Sequence, residues 1–287
     1  MSFLPFWVSE FLGLSRMIQY LSCEYFPMLN HFIKRLIPLR TMSTYPKATE
    51  ERSKELVENV DHILNRVNSI KSPNGRPVNL VCVSKLKPSS DIMALYDAGF
   101  RHFGENYVQE LVSKAQELPK DIKWHFIGGL QTNKCKDLAT RIDNLYAVET
   151  IDSIKKANKL NSSRDESKPK INVFIQVNTS GEEQKSGISS YEDLLSLAKV
   201  IKNDCPNLIL KGLMTIGSIK QSTAAGERNE DFDQLSSYNE KLESDLGTTL
   251  ELSMGMSSDF EQAIKQGSTS VRVGSNIFGA RPPRNGH

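Results

Sequence analysis

The sequence predicts an α/β fold, a (β/α)8 barrel, from three observations. Short apolar runs recur eight times, and each is flanked by a segment with helical spacing. Runs such as Ile171-Asn172-Val173-Phe174-Ile175-Gln176-Val177 are almost continuous, as strands covered on both faces of a parallel sheet are. Where an open doubly wound sheet would carry a GxGxxG turn after its first strand, the chain has Ser84-Lys85-Leu86-Lys87-Pro88. The eight units span about 210 residues, close to the ~250 typical of the closed barrel.

The elements follow in order. A helix is expected from about Thr49 to Ile70, with Leu56, Val60, Ile63, Leu64 and Val67 on one face, and Ser72-Pro73-Asn74-Gly75 turns the chain after it. Strands are expected at Leu80–Ser84, Arg101–Gly104, Lys123–Gly128, Asn144–Val148, Ile171–Asn178, Ile209–Ile216, Leu250–Gly255 and Ser270–Gly274. Between them, helical stripes begin at Ile92, Val108, Leu138, Ile154, Leu194, Phe232 and Phe260.

Composition narrows the function. The 287 residues are 38% hydrophobic with 17 Gly and 12 Pro, an ordinary globular mixture. A net charge of +2 gives no basic footprint for nucleic acid. Cys23, Cys82, Cys135 and Cys205 are widely spaced and read as reduced thiols rather than a disulfide or zinc framework. Residues 1–41 differ from the rest: they crowd Phe3, Phe6, Trp7, Phe11, Phe26 and Phe32 around Arg16, Lys34, Arg35 and Arg40. Glu10, Glu24 and Pro27 interrupt them well short of the ~20 apolar residues a membrane span needs. They read either as a transit peptide or as sequence upstream of a start at Met42, with a single barrel domain over 42–287.

A barrel places its chemistry at the C-terminal ends of its strands. Lys85 stands at the end of the first. The loops after strands seven and eight, Met254-Gly255-Met256-Ser257-Ser258-Asp259 and Val273-Gly274-Ser275-Asn276-Ile277-Phe278-Gly279, are rich in Gly and Ser and open helices. Such loops hold anions, and they also read as plain turns with Ser or Asp caps. In Val271-Arg272-Val273 the alternation turns Arg272 away from its apolar neighbours, into the barrel, where it meets either a ligand or a barrel carboxylate. His125, between Trp124 and Phe126, reads as a packed histidine, and Tyr107 stands near the mouth. An amine, an anion cradle and a partner for a ring nitrogen are what pyridoxal 5′-phosphate requires, and a lysine amine attacks its aldehyde to give a Schiff base.

From about residue 50 to residue 283 the chain resembles the pyridoxal phosphate homeostasis proteins, single-domain relatives of the alanine racemase barrel. The resemblance is carried by Val83-Ser84-Lys85-x-Lys87-Pro88, Phe103-Gly104-Glu105-Asn106-Tyr107-Val108-Gln109-Glu110, Trp124-His125-Phe126-Ile127-Gly128 with Leu130-Gln131-x-Asn133-Lys134, and Lys185-Ser186-Gly187. Gly212-Leu213-Met214, Ser253-Met254-Gly255-Met256-Ser257-x-Asp259 and Val271-Arg272-x-Gly274 through Ile277-Phe278-Gly279-Ala280-Arg281 complete it. Gly129 stands where many relatives have Pro, which loosens that turn. The resemblance implies that Lys85 holds pyridoxal 5′-phosphate as an aldimine, that Arg272 faces the pyridine nitrogen, and that Ser257, Gly274 and Ser275 hold the phosphate. It further implies that Asn106 and Met214 line the pocket, and Lys87 is expected to be a surface charge.

An arginine opposite the pyridine nitrogen leaves it unprotonated and a weak electron sink. Racemases of this fold also take a second acid/base, a tyrosine, from an added C-terminal domain, for which no room is expected before His287. The expected role is therefore storage, buffering or delivery of the cofactor without robust turnover. The alternatives are an amino-acid racemase or lyase using Lys85, or a barrel holding another phosphorylated ligand non-covalently. Transient contact with cofactor-dependent apo-enzymes, a monomeric state, no nucleic acid or membrane partner and a cytoplasmic location complete the expectation. The location becomes mitochondrial if residues 1–41 act as a leader.

Overall fold

Helix α1 (Glu50–Ser69) begins where Thr49 accepts a hydrogen bond from the Arg52 N–H at 3.2 Å, and Glu50 and Glu51 favour its positive end. It buries Leu56, Val60, Ile63 and Val67, four of the five residues in the expected stripe; Leu64 is half-buried against the same core. Each fully buried aliphatic side chain contributes about 1.5–3 kcal/mol, which docks α1 on the barrel. The computed structural model describes residues 45–182, 184–218, 221 and 228–280. The expectations for residues 1–41 and for Arg281 lie outside the described residues.

The strands are β1 (Asn79–Val83), β2 (His102–Glu105), β3 (Lys123–Phe126), β4 (Leu145–Ile151), β5 (Ile171–Gln176), β6 (Leu208–Met214), β7 (Glu251–Ser253) and β8 (Ser270–Val273). The helices between them are α2 (Ser89–Asp97), α3 (Val108–Glu117), α4 (Cys135–Arg141), α5 (Ile154–Ser163), α6 (Tyr191–Asp204), α7 (Glu230–Leu246) and α8 (Phe260–Lys265), and α9 (Ser275–Phe278) follows β8. Every strand is parallel to its neighbours, and β1 pairs with β8 (Val81 beside Arg272) to close the ring. This is the eight-stranded barrel the periodicity predicts.

Strands β3, β5, β6 and β7 each stop two residues earlier than expected, and β4 runs three residues further, to Ile151. β5 ends at Gln176, and the chain beyond it makes only a bridge between Val177 and Ile188. β7 is three residues long because Gly255 leaves the sheet with φ +96°. A Cβ there would lie 2.6 Å from the Ala263 Cβ, so only glycine lets the turn pass so close to α8.

The outward side chains of the strands pack under the helices as one large apolar core. The interior is more mixed. Ala147, Phe174 and Met214 form a small apolar cluster there, while His125, Glu149, Ser253 and Arg272 bring buried polar groups into the same space. Glu149 on β4 and Ser253 on β7 are bonded at 2.5 Å although those strands are not neighbours, so their bond crosses the barrel.

Candidate cofactor site

β1 ends at Val83, and the next turn aims Lys85 into the C-terminal mouth of the barrel. Leu86 takes a left-handed conformation with φ +61°, which costs a branched side chain roughly 1–2 kcal/mol. Two hydrogen bonds hold that turn: the Leu86 N–H donates to Glu110 Oε1 at 2.7 Å and the Lys87 N–H to the Ser84 carbonyl at 3.1 Å. Beneath it lies a buried network. Lys114 Nζ donates to the Ser84 carbonyl (2.9 Å), Glu105 Oε1 (2.8 Å) and Glu110 Oε1 (2.6 Å), and the Ser84 hydroxyl donates to Glu105 Oε1 at 2.6 Å. Burial pushes the Glu105 carboxyl up to about 7, against the opposing pull of Lys114 and Ser84. Both residues flanking Lys85 are thus tied to one charged cluster.

A cavity of about 350 Å³ opens at this mouth. Of the residues expected in the site, Lys85, Asn106, Ser257, Arg272, Gly274 and Ser275 line it, with Val83, Ile127, Ile216 and Met256 as apolar walls. Met214 does not. It is fully buried against Ala147 and Phe174, and Ile216, two residues further along the chain, takes the place at the wall. β6 carries Met214 inward while still inside the barrel, and only the residues after the strand reach the mouth.

The two Gly/Ser loops are pinned together at the cavity edge. The Gly274 N–H donates to the Ser257 hydroxyl at 3.3 Å, and the Asn276 amide donates to the Ser257 carbonyl at 3.1 Å. A Cβ on Gly274 would crowd the Val83 carbonyl at 3.1 Å, so the loop passes close beneath the cavity. Among the described residues, the N–H groups of Ser257, Ser258, Ser275 and Asn276 have no backbone acceptor. The helices that follow run only Phe260–Lys265 and Ser275–Phe278. Directed N–H groups, more than a macrodipole, therefore suit this corner to a phosphate.

Arg272 keeps both sequence readings open. It lines the cavity, and it also meets a barrel carboxylate, with Nη1 at 3.9 Å from Glu149 Oε2. Nη1 donates to the Ser253 hydroxyl at 2.6 Å and Nη2 to the Thr215 carbonyl at 2.7 Å. A guanidinium has five N–H donors, so donors remain for a ligand acceptor. Asn106 Oδ1 is buried with no hydrogen-bond partner, an acceptor awaiting a donor. An amine, directed N–H groups, spare guanidinium donors and an orphaned amide oxygen fit pyridoxal phosphate.

His125 is packed, as expected, with Nδ1 at 2.6 Å from Glu149 Oε1. Tyr107 is exposed and lies outside the cavity lining. Lys87 departs from expectation. Its Nζ donates to the Phe278 and Ala280 carbonyls at 3.0 and 2.7 Å, and Arg52 and Asn59 of α1 donate to the Phe278 and Ile277 carbonyls. Lys87 therefore caps the end of α9, where the last carbonyls of a helix have no partner within it. Glu149 was not singled out from the sequence, and Ser253 was quoted only within a motif and given no role. The available signal was a charged residue inside an otherwise apolar strand, Leu145–Ile151. Among the described residues no group of three or more His, Cys, Asp or Glu is placed to hold a metal.

Residues 59–282 match the family model for the alanine racemase N-terminal domain. A Schizosaccharomyces pombe protein named pyridoxal phosphate homeostasis protein is 54% identical over 212 residues, which cover 74% of this chain and 88% of that one. PipY of Synechococcus elongatus, solved with PLP bound, superposes with a TM-score of 0.65 at 30% identity, covering 78% of this chain and all of PipY. An alanine racemase of Clostridium difficile shares the fold at a TM-score of 0.63 and 14% identity, covering 82% of this chain and 59% of the racemase.

Proposed function

We infer the function from one premise: this chain belongs to the pyridoxal phosphate homeostasis protein family. It binds pyridoxal 5′-phosphate and serves the homeostasis of that cofactor. The observation that carries the reading is the convergence of Lys85, the two pinned Gly/Ser loops and Arg272 on one cavity.

In this reading the Lys85 amine condenses with the cofactor aldehyde. A carbon–nitrogen double bond forms, the aldehyde oxygen leaves as water, and the link is reversible. Ser257, Gly274 and Ser275 receive the phosphate, Arg272 donates to the ring nitrogen, and Asn106 accepts a hydrogen bond at the wall. The cofactor supplies an electron sink when bound, and a donating arginine keeps that sink weak. This supports a carrier that stores or hands on the cofactor to apo-enzymes without robust turnover.

The same reading places the protein in a reducing cytoplasm as a monomer. Cys82, Cys135 and Cys205 are free and buried, and burial pushes the Cys82 thiol up to about 12. Among the described residues the exposed large apolar side chains, Leu86, Tyr107, Ile154, Ile209 and Ile216, come from five different segments of the chain.

Absorption spectra of the protein with added pyridoxal 5′-phosphate, before and after borohydride, test the assignment. The wild type should show a reducible band and a reduced adduct at Lys85, both absent in Lys85→Ala. Retention of the band in that variant would remove Lys85 from its role. Sustained racemisation or deamination of added amino acids at ordinary enzyme rates would overturn the carrier reading.

A further inference from the structure

Arg272 is one of the few charged groups inside the barrel, and its direction is set from the opposite wall. Ser253 on β7 bridges: its hydroxyl accepts from Arg272 Nη1 at 2.6 Å and donates to Glu149 Oε2 at 2.5 Å. Glu149 comes from β4 and is completely buried. Its other oxygen, Oε1, meets His125 Nδ1 at 2.6 Å, and His125 Nε2 lies 2.8 Å from His102 Nδ1. Both histidines line a second cavity at the N-terminal end of the barrel. A chain of hydrogen bonds therefore runs from that end, through Glu149, to the guanidinium in the cofactor cavity.

We propose that Glu149 is the positioning residue for Arg272, holding the guanidinium aimed at the ring nitrogen through the Ser253 hydroxyl. The proposal rests on the cofactor reading above. Glu149 is absent from the lining of the cofactor cavity and acts only through Ser253 and Arg272.

The physical case has two parts. A buried cation is expensive unless an anion compensates it; Glu149, 3.9 Å from Nη1, supports the Arg272 charge most, and Asp259 adds to it. Burial alone would raise the Glu149 carboxyl, but the hydrogen bond and charge of His125, the charge of Arg272 and the Ser253 hydroxyl hold it below the ordinary carboxylate value. The second part is directional. Nη1 is fixed by Ser253 and Nη2 by the Thr215 carbonyl, so the guanidinium plane is held at two points. Loss of the Ser253–Glu149 link frees the Ser253 hydroxyl to turn, so the Nη1 contact is no longer fixed, and a planar fork held firmly only at Nη2 swings.

The test compares Glu149→Gln and Ser253→Ala with wild type, by thermal unfolding without ligand and by titration with pyridoxal 5′-phosphate, read as the dissociation constant and the absorption maximum of the bound form. Glu149→Gln keeps the volume and removes the charge; Ser253→Ala removes only the bridge and is the milder change if the first variant folds poorly. In both variants the dissociation constant should rise tenfold or more and the absorption maximum should shift, with Ser253→Thr, which keeps the hydroxyl, closer to wild type than Ser253→Ala. Lower melting temperatures with an unchanged dissociation constant and maximum would make the network purely structural and overturn the proposal. If wild type and Lys85→Ala titrate alike, the cofactor reading fails and the proposal fails with it. If wild type binds through Lys85 and both variants match it, only the proposal fails.

Discussion

Replacing Lys114 by methionine removes the cation beneath Lys85 while keeping the length of its stem. In the native chain Lys114 Nζ gives three hydrogen bonds, to the Ser84 carbonyl, Glu105 and Glu110. The lost bonds cost about 1–3 kcal/mol at any pH. A second loss depends on pH. Glu105 is fully buried, its Oε2 has no partner, and its carboxyl titrates at about 7 in the folded chain against 4.5 in an ordinary setting. A folded value raised above the unfolded one favours the native state most below the unfolded value, and that advantage is lost as pH rises through the folded value.

Without Lys114 the folded value rises further. At pH 5 Glu105 is protonated in both proteins, and they differ only by the hydrogen bonds. Above pH 7 the wild type ionises Glu105 beside its cation, whereas the variant must either keep the proton or bury an unpaired charge. The gap then widens by about 1.4 kcal/mol per pH unit, which brings the total near 3 kcal/mol at pH 8. In a domain of this size that corresponds to a melting temperature lower by about 6–12 °C. Urea unfolding at pH 5, 6.5 and 8 measures it. An equal loss at pH 5 and pH 8 would refute the reasoning, because Glu105 could not then be the group that Lys114 neutralises. Adding Glu105→Gln should flatten the pH-dependent part. Pyridoxal phosphate binding should also weaken in Lys114→Met, since Ser84 and Leu86 flank Lys85.

Two further changes probe the frame of the site. Gly128→Ala would place a Cβ 2.0 Å from the Asn106 carbonyl, so backbone must move. It should cost about 1–3 kcal/mol in stability and raise the dissociation constant for pyridoxal phosphate, and an unchanged constant would remove Asn106 from the wall. Leu56→Ala on α1 should cost about 2–5 kcal/mol in denaturant unfolding. One cooperative transition is expected, because Arg52 and Asn59 of the same helix hold the carbonyls of α9.

Much of this was legible from local pattern. The eight strands follow from apolar runs of strand length, and Lys85, Ser257, Gly274 and Ser275 reach the cavity because a strand's end also marks the barrel's mouth. Met214 was misplaced for a related reason: β6 ends at Met214 itself, which keeps the residue inside and moves the wall to Ile216. Lys87 looked like a surface charge because its acceptors, the carbonyls of Phe278 and Ala280, are backbone atoms that side-chain identity does not mark.

By itself the sequence determined the barrel, the end of it that carries chemistry, and the lysine and loops placed there. Periodicity and turn chemistry are local, acting over a few residues, and therefore visible along the chain. Only the tertiary structure decided how Arg272 is held and what lies beneath Lys85. The Glu149–Ser253 bond joins residues 104 positions apart, on strands that are not neighbours. Such a contact exists only once the sheet has closed and its interior excludes water, for only then must a buried charge find its partner across the barrel.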